Sequence, residues 1–342
     1  MEIRKTNGNP PQLRRWALLV LFAALTGAFV AIMIAFSRID VSQTSWSIFN
    51  QIDKGKQRQE QRIERKFPFH AGNELQLTTD VGDIVIQTEG ADTASIIVEL
   101  RGTLNELSNF NLDFSASDRG LKITGKRIGD FDKLLSKNFH ILYRIKIPKE
   151  ASIDIETSGG DVLIGDVDGT VKCITSGGDI DVGRVTNGAR LHTSGGNIRI
   201  KSAKGPLTIE TSGGDVHVDQ SFGTARIETS GGNISINEAN GIVSASTSGG
   251  DLRIGVGTSV KELKAETSGG DITVSIPPTI NATIDAESIS GTVKSDLPIT
   301  AKGKMSDGSL RGTLNRGGAE ITLRTSGGTI QLHAAAHEKG DK

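Results

Sequence analysis

Thr157-Ser158-Gly159-Gly160-Asp161-Val162-Leu163-Ile164 is the stretch that decides how this chain folds. Thr-Ser-Gly-Gly begins again at Thr175, Thr193, Thr211, Thr229 and Thr247, each 18 residues after the last. It returns at Thr267 after a 20-residue step, and once more at Thr325. A fixed period of this length marks a solenoid, in which no single unit can bury its apolar side chains alone.

Numbered from its Thr, each unit is apolar at position 6 (Val162, Ile180, Ile198, Val216, Ile234, Leu252, Ile272) and at position 8 (Ile164, Val182, Ile200, Val218, Ile236, Ile254, Val274). The residue between them is free, as Leu163, Asp181, Arg199 and His217 show. Alternation of this kind is a strand with one face towards a core. A second strand follows at positions 15 and 17: Val171 and Cys173, Ala189 and Leu191, Leu207 and Ile209, Ala225 and Ile227, Val243 and Ala245. Gly169, Gly205, Gly223 and Gly241 mark the turn between the two.

The Gly-Gly pair predicts positive φ and close stacking of corners. The Asp or Asn at position 5 is expected to accept from nearby backbone N–H groups, and the Thr to form an inward or corner hydroxyl ladder. Six to seven regular coils span roughly 30 Å at the strand spacing. Parallel crossovers favour one hand. The expected fold is therefore all-β: a single-stranded β-solenoid, a right-handed parallel β-helix of about 18 residues per coil.

The flanks set the organisation. Residues 1–15 carry Arg4, Lys5, Arg14 and Arg15, and Trp16 to Phe36 is a 21-residue run without charge. That run is long enough for one transmembrane helix, and the basic flank predicts a cytoplasmic N-terminus with everything after Phe36 exported. The competing reading is a cleaved signal peptide ending near Ala35-Phe36-Ser37, which the length of the run disfavours. Residues 37–66 read as a polar stalk, with Gln51 to Lys66 a mostly polar helix acting as a spacer. Trp46, Ile48 and Phe49 suit a membrane surface.

Residues 67–150 read as an irregular β lead-in and cap. In that stretch Thr79-Asp80-Val81-Gly82-Asp83-Ile84-Val85-Ile86 is a degenerate copy of the repeat, and Asp130 to Lys137 is the one helix-compatible piece. Residues 151–333 form the regular array. It loosens at Pro277-Pro278, at the worn copy Ser288-Ile289-Ser290-Gly291-Thr292-Val293 and in the turn-rich segment Gly303 to Gly318. Residues 334–342 are a polar tail.

Composition narrows the function classes. The chain has 342 residues with 42 glycines, 4% aromatics and a net charge of −1, so nothing points to nucleic acid. Cys173 stands alone and reads as a small buried hydrophobe. The sharpest chemical candidate is the column Asp161, Asp179, Asp215, Asp251 and Asp271, interrupted by Asn197 and Asn233. Carboxylates one coil apart resemble the spacing of a retaining glycosidase, but a residue present in nearly every coil at a turn is a cap, since Asp and Asn accept the same hydrogen bond. The calcium-binding nonapeptide requires G-G-x-G-x-D, and here Asp follows the glycine pair directly. The serine column (Ser158, Ser176, Ser194) has no His at a consistent neighbouring position. His192 and His217 point outward in this register. Phe222 is the sole aromatic after residue 150, which disfavours a carbohydrate groove. No catalytic, cofactor-binding or metal residue is assigned.

The Thr-Ser-Gly-Gly-Asp-Ile/Val copies, the lead-in Leu75-Gln76-Leu77-Thr78-Thr79-Asp80-Val81-Gly82-Asp83-Ile84-Val85-Ile86 and Tyr143-Arg144-Ile145-Lys146-Ile147-Pro148 together resemble the adhesin-type DUF4097 β-strand-repeat family of bacterial envelope proteins. The resemblance covers Phe67 to Leu332. It implies the β-repeat architecture and an envelope location, and carries over no catalytic residue. The expectation is a single-pass protein of the cytoplasmic membrane, N-terminus inside, with its C-terminal domain periplasmic or extracellular. Its expected role is a non-enzymatic, adhesin-like or scaffold platform for an envelope protein partner, with no cofactor. The alternatives are self-association into a bactofilin-like polymer, a part in envelope-stress sensing, and action on cell-wall glycan.

Overall fold

The computed structural model describes residues 47–49, 58–89, 92–128, 139–302 and 306–335. The expected cytoplasmic segment 1–15, the apolar run 16–36, the helix-compatible piece 130–137 and the tail beyond residue 335 lie outside them. Among the described residues no helix is long and apolar enough to cross a membrane.

The array is a parallel β-solenoid. Val162 pairs with Ile180, Ile180 with Ile198, Ile198 with Val216 and Val216 with Ile234, so each coil lies one 18-residue period above the last. The second face repeats the step through Val171↔Ala189, Ala189↔Leu207 and Leu207↔Ala225. Positions 6, 8, 15 and 17 are buried throughout and form one continuous core. Like residues meet like in such a stack, so branched side chains fill the interior without rings.

The corner at the repeat motif holds coil to coil. Every Thr of the eight copies is buried. Thr229 Oγ1 donates to the carbonyl of Gly214 in the coil below at 3.1 Å and accepts from the N–H of Gly232 at 3.3 Å. Thr193, Thr211, Thr247, Thr267 and Thr325 make the same pair of bonds. The expected hydroxyl ladder is therefore present, and it links main chain to main chain.

The two glycines have different jobs. A Cβ on Gly214 would sit 1.8 Å from the carbonyl oxygen of Gly196, whereas a Cβ on Gly213 would meet nothing nearer than 3.9 Å. Within the eight copies a positive φ occurs only at Gly160. Positive φ is thus not what the pair supplies. The second glycine is required by the approach of neighbouring backbones, and the first leaves the corner open.

Both ends of the stack depart from chain order. Ile84 and Ile86 of the degenerate copy pair with Val162 and Ile164, so that copy is a true coil directly beneath the array. The later strands Gly120–Arg127 and His140–Ile147 lie on its far side. Antiparallel strands Phe110–Ser117, Thr93–Thr103 and Arg58–Pro68 then close that pole. At the other pole Ile321 stacks on Leu263 and Ile330 on Ile272, so the Thr325 copy sits on the Thr267 copy. The worn copy, though earlier in the chain, is displaced outward against Ala319–Thr325 and Ile330–Ala334. The turn-rich segment supplies an antiparallel strand, Ser309–Leu314, with Leu310 and Leu314 buried, that covers this pole. The full motif takes the inner place because it carries both the Thr hydroxyl and a glycine able to come within 2.0 Å of Gly270.

The polar helix expected over Gln51 to Lys66 is corrected where it is described. Arg58–Pro68 is an eleven-residue strand antiparallel to Thr93–Thr103, and Ser47–Phe49 pairs with it in turn. Ile96, Val98 and Leu100 of the partner strand are buried, so the pair has a core side. On the solvent side Arg101 meets Glu60 at 2.7 Å and Arg62 meets Glu64. Charged side chains suit a strand at a sheet margin, where they also block pairing with other chains. The one α-helix among the described residues is Leu104–Ser108, opened by a capping box of Thr103 and Glu106.

The glycine pair supplies a single-atom test. Gly214→Ala should cost about 3 kcal/mol, the upper range for overpacking a rigid site, while Gly213→Ala stays within about 0.5 kcal/mol. Denaturant unfolding of the two variants measures this, and equal losses would show that stacking distance is not the constraint.

Candidate functional site

Each chemical candidate named from sequence has a defined place. The Asp/Asn column lies on one corner, but its hydrogen bonds run between coils. Asp179 Oδ1 accepts the main-chain N–H of Asn197 at 2.7 Å, Asn197 Oδ1 that of Asp215 at 2.9 Å, and Asp215 Oδ1 that of Asn233 at 2.7 Å. The chain of bonds starts at Asp83, which accepts from Asp161, and ends at Asp271, which accepts from Thr329. Asn197 and Asn233 also donate their amide N–H to Asp179 and Asp215, which separates carboxylates that would otherwise stack as like charges. The capping role holds, with the refinement that each side chain caps the next coil.

Among the described residues no three His, Cys, Asp or Glu side chains converge as a metal-ligand set. His217 Nε2 lies 2.9 Å from Asp219, and His192 3.5 Å from Glu210, both on outward positions. Cys173 is fully buried, and burial pushes its thiol up to about 12, with the nearby Asp154 charge adding to the shift. Such a thiol stays protonated and unreactive in the folded chain.

The repeat breaks in one place that forms a cleft. Near the displaced worn copy, an open cleft of about 440 Å³ is lined by Ser246, Glu266, Ser268, Glu287, Ile289, Arg324 and Ser326, with Thr247, Thr267 and Thr325 at its floor. Residues at position 18 form an outward column along this face: Glu156, Ile174, His192, Glu210, Glu228, Ser246, Glu266, Arg324 and Glu287. Ser246 is the short member, and it opens a notch. Position 2 is Ser in all eight full copies, but the worn copy places Ile289 there, 77% exposed.

The charges around the cleft are unevenly satisfied. Arg324 donates through Nη1 to the carbonyls of Asp285 and Leu323, and its Nη2 lies 2.9 Å from Asp285 Oδ2. Burial raises the Asp285 pKa, but hydrogen bonds from Arg324 and Arg311 outweigh it and hold the carboxyl below its ordinary value. Glu287, by contrast, meets Arg324 and Arg311 only at 3.8 and 4.0 Å. Glu266 pairs with the exposed Lys264 at 2.9 Å.

None of these cleft residues was singled out from sequence as a site. The available signal was Ile289 at a position otherwise held by Ser. Ser246, Ile289 and Arg324 become neighbours only through the inverted coil order.

The family described as Toastrack DUF4097 matches residues 72–333. Similar solved structures include a "putative adhesin" from Bacteroides fragilis, 17% identical over 80% of this chain and 97% of that one, with a TM-score of 0.40. A "putative adhesin" from Parabacteroides distasonis is 15% identical over 80% and 97%, with a TM-score of 0.46. A "putative lipid binding protein" from the same species is 15% identical over 81% and 97%, with a TM-score of 0.42. No curated protein matches the chain.

Two outcomes check the local chemistry. Asp215→Ala should lower stability by about 1 kcal/mol through the lost acceptor, while Asp215→Asn stays within about 0.5 kcal/mol. Stabilisation of the wild type by added calcium ions, abolished by Asp215→Asn, would instead make the carboxylate a ligand. For Cys173, a thiol reagent should label the native protein at pH 8 only as fast as it unfolds. Labelling faster than unfolding would contradict the raised pKa.

Proposed function

The chain belongs to the Toastrack DUF4097 family, and from that premise we propose that it is a membrane-anchored, non-enzymatic envelope protein whose right-handed solenoid serves as an adhesin-like interaction platform. The observation that carries this reading is where the recurring chemistry goes. The Thr hydroxyls and the Asp/Asn carbonyl oxygens, the groups repeated down the whole array, are spent on main-chain N–H and C=O groups of neighbouring coils. What varies from coil to coil is the outward column, and variable outward side chains on a fixed frame are how repeat proteins recognise partners.

The frame has a direction. The described chain enters at the pole built from Arg58–Pro68, and the cleft lies near the opposite pole. An anchor in the apolar run Trp16 to Phe36 therefore leaves the cleft at the pole remote from the point of entry. Self-assembly end to end is the less favoured alternative, because antiparallel strands cover both poles. A partner strand would have to displace them.

Fractionation and topology test the proposal together. Full-length protein in bacterial membranes should resist carbonate extraction. An Ile289→Cys, Cys173→Ala variant should react with a membrane-impermeant maleimide in intact spheroplasts. Release into the soluble fraction, or protection of Cys at 289 until lysis, would overturn the placement. Turnover of a cell-wall glycan by the purified protein, lost on one point substitution, would overturn the non-enzymatic reading.

A further inference from the structure

We propose that the cleft beside Ile289 is a docking site for a lysine- or arginine-bearing extended segment of a partner protein. The cation would sit between Glu266 and Glu287, with its aliphatic stem against Ile289. This deepens the platform reading and rests on it.

Three independent departures from the repeat coincide at this spot. Ser246 replaces the long side chains of its column and opens the notch. Ile289 replaces a serine and presents an apolar wall, 77% exposed, held in place by main-chain bonds from Ile289 to Thr325 and from Ser290 to Ser326. Glu287 stands at the outer limit of ion pairing from both of its arginines. None of the three alone would identify a ligand.

Charge decides which ligand fits. Arg324 is fully engaged by two carbonyls and Asp285, so it offers no fork to an incoming anion. The groups left to meet a ligand are the carboxylates of Glu266 and Glu287 and the hydroxyls of Ser246, Ser268 and Ser326. Acceptors of this kind select a donor-rich cation. An ammonium or guanidinium on a long apolar stem matches both the acids and the isoleucine, since such side chains bury the stem while keeping the head polar. The pair Lys264–Glu266 is exposed on both sides, so sharing Glu266 with a second cation costs little.

The test uses full-length protein and a dye-labelled peptide, Gly-Leu-Lys-Leu-Gly, with norleucine in place of lysine as the control, read by fluorescence anisotropy at low salt. The lysine peptide should bind saturably, and at least about fivefold more tightly than the norleucine peptide, a difference of roughly 1 kcal/mol. E266Q/E287Q should remove that preference, and Ile289→Ser should weaken both peptides. Thermal unfolding of each variant checks the fold, and single E287Q serves if the double variant is destabilised. No saturable binding, equal binding of the two peptides, or binding unchanged in both E287Q and Ile289→Ser would overturn the assignment. Spermidine, a cation without a peptide backbone, should compete only weakly, and equal potency would overturn the peptide class. The platform reading fails separately, through soluble release or glycan turnover, whatever the peptides do.

Discussion

The structure depends on how closely two backbones can approach at one corner. The carbonyl of the second glycine in each copy lies where the next coil's second glycine would carry a Cβ, at 1.8 to 2.3 Å for Gly160, Gly178, Gly196, Gly214, Gly232, Gly250, Gly270 and Gly328. That approach brings the carbonyl within reach of the Thr hydroxyl above, which then closes its own turn by accepting from the glycine N–H. A buried hydroxyl with both roles filled leaves no polar group unsatisfied at the corner. The coil spacing set there is the spacing at which Ile and Val ladders pack on each other inside. Hydrogen bonding and core packing are thus fixed by one distance.

The same constraint explains why the ends abandon chain order. A coil can join the regular stack only if it brings the hydroxyl and the bare glycine. Thr325 to Gly328 brings both in full, and it takes the place above Thr267 although 58 residues separate the two copies. Ser288 to Gly291 keeps a hydroxyl and a glycine and still bonds to Gly328 at 2.7 Å, but Ile289 replaces the small corner serine. It fits as the last coil, where nothing has to stack above that corner. Closing each pole with antiparallel strands removes the open edges that a parallel stack would otherwise present.

What the sequence disclosed follows from these rules. Burial at positions 6, 8, 15 and 17 was legible because period-two alternation writes the inward face directly into residue type. Val162, Ile180 and Ile198 needed no structure to be placed. Coil order was not legible, because copies that stack equally well do not encode which neighbour they meet. Arg58–Pro68 misled for a different reason: its alternate positions hold Gln, Arg and Ile on one side and charged residues on the other, so the apolar period is masked. The reach of the Asp/Asn bonds was hidden as well, since an acceptor serves its own turn and the next coil with the same residue types.

A repeat that spends its polar chemistry on itself leaves function to its exceptions. Ser246, Ile289 and Arg324 lie far apart in the chain, and each alone is an ordinary surface residue. The inverted order at the terminal pole sets them around one cleft, with Glu287 short of a close cation. A repeat gains such a place only where the stacking rule is relaxed, since in the regular coils any large residue at the corner would lie beside an identical one on each side. The coil least fitted to extend the stack is therefore the one free to carry a local, non-repeating surface.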